Sequence, residues 1–84
     1  MSTAKAREPI DVITIFDQAS ARPFSFKYAG KKFIVEKINL TFSERAGRGT
    51  LRYYSVTAEG NYFKLVLDTE GLRWYVEEVM DNVQ

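Results

Sequence analysis

The chain has 84 residues, a formal charge of +1 from 12 Lys and Arg against 11 Asp and Glu, 45% hydrophobic residues, and neither Cys nor His. Such a composition gives one globular domain, near the size where folding buries only about 60 to 65% of the surface the unfolded chain exposes. Without Cys or His, disulfides, thiolate zinc sites, Ser-His-Asp and Cys-His triads and histidine bases are excluded, and the near-zero charge supplies no global field towards nucleic acid or membrane.

Residues 1–8 are polar, lack the apolar core of a secretory signal, and read as a disordered tail. No stretch approaches the roughly 20 apolar residues of a membrane-spanning helix. With no Cys there is no sign of an oxidising compartment, and a cytoplasmic location is expected. The folded domain is expected over residues 9–81, with a frayed end over 82–84.

Pro9 opens the run Ile10-Asp11-Val12-Ile13-Thr14-Ile15-Phe16-Asp17, whose β-branched residues predict a strand. Residues 18–22 are polar and predict a connection. Phe24, Phe26 and Tyr28 then alternate with Ser25 and Lys27, the period of a half-buried strand. Ala29-Gly30 is a turn signal. In residues 31–42 the apolar phase slips, with Phe33 and Val35 on odd positions and Ile38, Leu40 and Phe42 on even ones. One extra residue in a strand does this, so a β-bulge that bends the sheet is expected near Glu36-Lys37. Residues 43–50 carry two glycines and no apolar period, and predict a loop.

Three strands follow, over residues 51–57, 63–67 and 72–76 or beyond, separated by Ala58-Glu59-Gly60 and Asp68-Thr69-Glu70-Gly71. Hairpin loops of three and four residues closing on Gly would set the register. Thr57 would then pair with Asn61 and Tyr54 with Lys64, while Leu67 would pair with Leu72 and Lys64 with Tyr75. On that register Leu51, Tyr53, Phe63, Leu65, Leu67, Leu72, Trp74 and Val76 share the core face. Val76, Val79, Met80 and Val83 also match helical spacing, but a strand to about Val79 is favoured. The expected architecture is all-β: a single small domain, a six-stranded antiparallel meander bent at the bulge into a roll or small barrel.

The opposite face would carry three cross-strand rows, Arg52-Val66-Arg73, Tyr54-Lys64-Tyr75 and Val56-Tyr62-Glu77. A lysine between two tyrosines, with two arginines one row away, offers rings for base stacking and cations for phosphate. The same residue types populate protein interfaces, and they also cover ordinary sheet surfaces through cross-strand contacts. The candidate binding face is therefore Arg52, Tyr54, Tyr62, Lys64, Arg73 and Tyr75, with Arg45 and Arg48 as loop contacts. Lys27, Lys31 and Lys32, around the first hairpin, read as guards of a strand edge. Asp68 and Glu70 are assigned to turn formation, and neither a metal nor a cofactor is expected.

Pro9-Ile10, the segment Pro-Phe-Ser-Phe-Lys-Tyr-Ala-Gly from Pro23, Val35 to Ile38, Arg52-Tyr53-Tyr54-Ser55-Val56, Gly60, Phe63-Lys64-Leu65, Asp68 and Arg73-Trp74-Tyr75-Val76-Glu77-Glu78-Val79 resemble a small uncharacterised bacterial β-rich domain. That domain often accompanies Y-family polymerase-like proteins of DNA damage tolerance. The resemblance spans residues 9–81 and departs at 43–50, where the family tends to carry a longer, tryptophan- and charge-rich segment. It implies an accessory role near DNA repair and assigns no active residue. The expected function is a non-enzymatic binding module, with nucleic acid or another protein as the partner, or a self-associating β module.

Overall fold

Alternating apolar residues broken by short turns commit this chain to strands, and the computed structural model, which describes residues 7–18 and 20–81, contains seven. They are β1 (Glu8–Asp17), β2 (Ser20–Tyr28), β3 (Lys31–Ile34), β4 (Lys37–Ala46), β5 (Gly49–Ala58), β6 (Asn61–Asp68) and β7 (Arg73–Asp81). All neighbours are antiparallel in one sheet of order β3-β2-β1-β7-β6-β5-β4. The all-β class and single domain are as expected, with seven strands in place of six because residues 31–42 are cut in two. β1 begins one residue before the expected domain start. Of the expected tail over 1–8, residues 1–6 lie outside the described residues, as does the frayed end over 82–84, whereas Arg7 is hydrogen-bonded and Glu8 begins β1.

The sheet has to curl. Its outermost strands, β3 and β4, are separated in the chain by Val35 and Glu36 alone, so their adjoining ends are at most about 11 Å apart. A flat sheet would hold seven strands' outer members about 29 Å apart, at roughly 4.8 Å per spacing. The chain hands over from one edge to the other at this point: the Val35 N–H donates to Phe24 O at 2.9 Å, on β2, and the Glu36 N–H donates to Thr57 O at 2.8 Å, on β5. The result is a half-barrel bent where the apolar phase slips.

The bulge, however, sits two residues later than expected. Ile38 pairs with Val56 and Leu40 with Ser55, leaving Asn39 as the extra residue. The break at Val35-Glu36 keeps Val35 and Ile38 both against the core, and the bulge at Asn39 then turns Leu40 and Phe42 to the convex face. The three even-numbered apolar residues therefore do not share a face.

Turn chemistry corrects the other expectations. Residues 43–50 are not a loop; Ala46 pairs with Gly49 across Gly47-Arg48, with φ of 61° at Gly47. Gly at the first turn position with positive φ is the pattern of a type II′ hairpin. Residues 20–22 belong to β2, because Asp17 already pairs with Ser20. Ala29-Gly30 is a turn as expected, with both φ values positive.

The core lies on the concave side and gathers Phe26, Phe33, Tyr54, Val56, Ala58, Phe63, Leu65, Leu67, Trp74 and Val76. Phe63 meets Phe26 and Phe33 with ring centroids 4.9 Å away in each case. This aromatic knot joins β6 to β2 and β3 across the barrel interior, contact geometry worth about 0.5 to 1.5 kcal/mol per pair beyond area burial. At the other end the Trp74 indole N–H donates to Thr14 Oγ1 at 3.0 Å, tying β7 to β1 where their main-chain pairing, Glu8 to Ile10 against Val76 to Trp74, has ended.

Candidate functional site

The position of every candidate side chain depends on one turn. Glu59 and Gly60 alone connect β5 to β6, with φ of 52° and 80°, the double positive φ of a type I′ turn. Ala58 is the last strand residue and pairs with Asn61. Relative to a three-residue loop this shifts β5 by one residue, and a one-residue shift turns every side chain to the opposite face.

Tyr54 consequently enters the core. It is 5% exposed, and its hydroxyl donates to Ala21 O at 2.6 Å across the barrel. Tyr53 takes its place on the convex face, and Leu51 goes with it. The expected Tyr54-Lys64-Tyr75 row does not exist. Lys64 pairs with Ser55 and Glu78, Tyr54 with Leu65, and Tyr75 with Val66. Arg52 pairs with Leu67 on the concave side of the sheet and is separated from Lys64. Arg73 faces Asp68, because the β6–β7 turn runs from Thr69 to Leu72 and a bulge at Glu77 resets the register beyond it. Leu72 is thus a turn residue, 74% exposed, and leaves the expected core. Arg45 lies on β4 opposite Thr50, and Arg48 sits in the tip turn. Val56 faces inward, and β7 continues as a strand to Asp81 rather than turning helical.

The convex face of β4 to β7 instead assembles around Lys64, Tyr53 and Glu77. The Phe42 and Tyr53 rings stack in parallel with centroids 4.5 Å apart, 6° from coplanar. Lys64 Nζ lies 5.8 Å from the Phe42 centroid and 5.6 Å from the Tyr53 centroid, within cation–π reach. It also sits 3.6 Å from Glu77 Oε1. Arg7 reaches the same cluster: Nε donates to Glu77 Oε2 at 3.0 Å and Nη2 donates to the Tyr53 hydroxyl at 3.0 Å. Burial works against the Arg7 charge, yet the hydrogen bond to Glu77 and the fields of Tyr53 and Glu77 outweigh it and raise its pKa. Burial pushes the Tyr53 phenol up, with Arg7 opposing.

Around this cluster stand exposed apolar side chains, with Leu40 at 59% and Met80 at 56% the most open, together with Phe42 and Tyr62. They border a shallow groove of about 520 Å³ whose floor includes Ser55, Phe63 and Lys64. Of the predicted binding face, Tyr62, Lys64 and Tyr75 are brought onto one surface, while Arg52 and Tyr54 are not. Sequence reasoning missed Arg7, Leu40, Phe42, Tyr53 and Met80, and placed Glu77 on this face without making it a candidate. The two-residue spacing of Leu40 and Phe42 put them on one face of a strand without showing which face.

Asp68 has the turn role assigned to it, its Oδ1 accepting the Glu70 N–H at 3.0 Å. Among the described residues no cluster of acidic side chains has the arrangement of a metal site, and no helix is long and apolar enough to cross a membrane. No protein-family model matches this chain, and neither the curated proteins nor the solved structures contain a significant match to it.

Proposed function

We propose that the protein is a non-enzymatic protein-interaction module that presents the convex face of β4 to β7 to a partner protein. One observation carries this reading: Leu40, Phe42, Tyr62 and Met80 are exposed together on one rigid sheet surface. Contiguous exposed apolar surface with a polar rim is the composition of protein contact sites. The charges support the same reading. Arg7 and Lys64 are both engaged with Glu77, and Glu78 lies opposite Lys64, so the face has no surplus of cations for a polyphosphate backbone. The burial of Tyr54 also removes one of the two rings on which a base-stacking surface was argued.

The DNA-repair setting implied by the resemblance is part of this proposal, as an accessory that binds a protein of that pathway. A cytoplasmic location, supported by the absence of Cys from the sequence, belongs to it as well. The test compares the wild-type protein with a Tyr62→Asp plus Met80→Asp variant, in sedimentation velocity over a range of concentrations and in affinity capture. Self-association or specific partners lost in the variant support the reading. A monomer that retains nothing the variant does not also retain overturns it. Titration of single-stranded DNA in about 50 mM salt separates the nucleic-acid reading, which requires binding that Lys64→Ala weakens.

A further inference from the structure

The half-barrel closes at Val35-Glu36 and stays open beyond it. β4, ten residues long, has no strand partner on the side away from β5 among the described residues, and Ser20 to Pro23 of β2 have none on the side away from β1. These two free edges border the same opening. Two adjoining hollows of about 240 and 250 Å³ run along it and share Arg22 and Ile38. The Tyr54 hydroxyl reaching Ala21 O at 2.6 Å bridges the seam from beneath. The two edges are thereby held in fixed relation.

Unpaired strand edges of this length accept an added strand, with main-chain bonds supplying affinity and side chains supplying choice. The charges along the seam specify the occupant. Arg22, Arg52 and Lys37 line it, and none of the three forms an ion pair among the described residues. The carboxylate that borders it, Glu36, already accepts the Glu59 N–H at 2.9 Å. From the pairing, Arg52 lies on the concave side with Leu67, while the exposed Arg22 alternates with the half-buried Ala21 and the buried Pro23 and so lies on the other side. Successive side chains of an extended strand point to opposite faces. Two consecutive acidic residues in the seam would therefore meet Arg52 on one face and Arg22 on the other.

We infer that the seam between β2 and β4 binds an extended acidic peptide segment of a partner protein, which adds to the β4 edge and closes the barrel. Open backbone along β4 supplies the hydrogen bonds, and Arg22, Arg52 and Lys37 supply the selection for carboxylates. This site is distinct from the convex face around Tyr62 and Met80, so either can fail without the other.

Fluorescence anisotropy with labelled peptides tests it. The probes are a short peptide alternating valine with Glu-Glu pairs, the same peptide with lysine in place of glutamate, and the acidic peptide N-methylated at alternate amides. The acidic peptide is expected to bind in about 50 mM salt and to weaken by about tenfold or more at about 500 mM. N-methylation is expected to abolish binding, and Arg22→Glu plus Arg52→Glu to weaken it by about tenfold or more, whereas Tyr62→Asp leaves it unchanged. Absence of binding by the acidic peptide, equal binding of the lysine peptide, or insensitivity to N-methylation overturns the inference. So does binding of an oligonucleotide but not of the peptide. The N-methylated probe keeps the test decisive if the double variant folds poorly.

Discussion

Tyr53 is the residue at which burial, aromatic stacking and charge meet. Its ring stacks on Phe42, its hydroxyl accepts from Arg7, and burial pushes its pKa above the ordinary value near 10. Ionisation is therefore disfavoured in the folded state. Below about pH 10 the folded and unfolded chains both keep this proton and the group contributes nothing to pH dependence. As pH rises from the unfolded value through the raised folded one, the unfolded chain releases the proton first, and stability falls. Urea unfolding midpoints at about pH 9 and about pH 11 are expected to drop further in the wild type than in Tyr53→Phe. Equal drops would mean that Tyr53 ionises as freely in the folded protein as in the unfolded chain. The substitution also removes the acceptor for Arg7, a cost about equal at both pH values, so the difference between the two drops isolates the phenol. None of this was legible from the chain alone. Tyr53 and Tyr54 are adjacent and identical in kind, and only the β5 register decides which of them is core.

At the scale of elements, turns decide what the strands present. The β6–β7 turn is clipped onto the start of β5: the Thr50 N–H donates to Thr69 Oγ1, and both the Thr69 N–H and its hydroxyl donate to Thr50 O, each at 3.0 Å. That clip draws the turn so close that a Cβ on Gly49 would lie 2.8 Å from Glu70 Cβ and 3.2 Å from the Glu70 backbone nitrogen. Gly49→Ala must push backbone away and break part of the clip. It is expected to lower stability by about 1 to 3 kcal/mol, read as a reduced urea midpoint with an unchanged slope. An unchanged midpoint would mean that the turn moves aside without cost. The alternation in β6 and β7 was legible: Phe63, Leu65, Leu67, Trp74 and Val76 all reach the core. β5 was not, because its two faces carry nearly equal apolar content, Leu51 and Tyr53 against Tyr54, Val56 and Ala58. Nor does Glu59 announce positive φ as Asn or Asp would. A turn one residue shorter than expected was enough to exchange the faces of the strand. The long segment after Gly30 shows the opposite case, since its phase slip correctly located a bend although it misplaced the bulge.

For the molecule as a whole, the topology predicts where stability resides. β6 is paired along its length on both sides, by β5 and β7, and carries Phe63 and Leu65 at the centre of the core. β4 is paired on one side only, and most of its residues are exposed. Hydrogen exchange of backbone amides reports local opening, and protection follows pairing and burial. The β6 amides are expected to exchange most slowly, at rates set by global unfolding. In β4 the amides directed away from β5 are expected to exchange orders of magnitude faster, although they belong to a regular strand. Exchange followed by NMR residue by residue checks this. Uniform protection across β4 would show that its outer edge is already covered, by self-association or by chain outside the described residues. A half-barrel of this size needs its open edge guarded, and β4 carries only Lys37, Glu44 and Arg45 for that purpose. The same economy that leaves one seam unpaired fixes where exchange must be fastest, and an added strand there would convert the fast amides of β4 into slow ones while leaving those of β6 at the global limit.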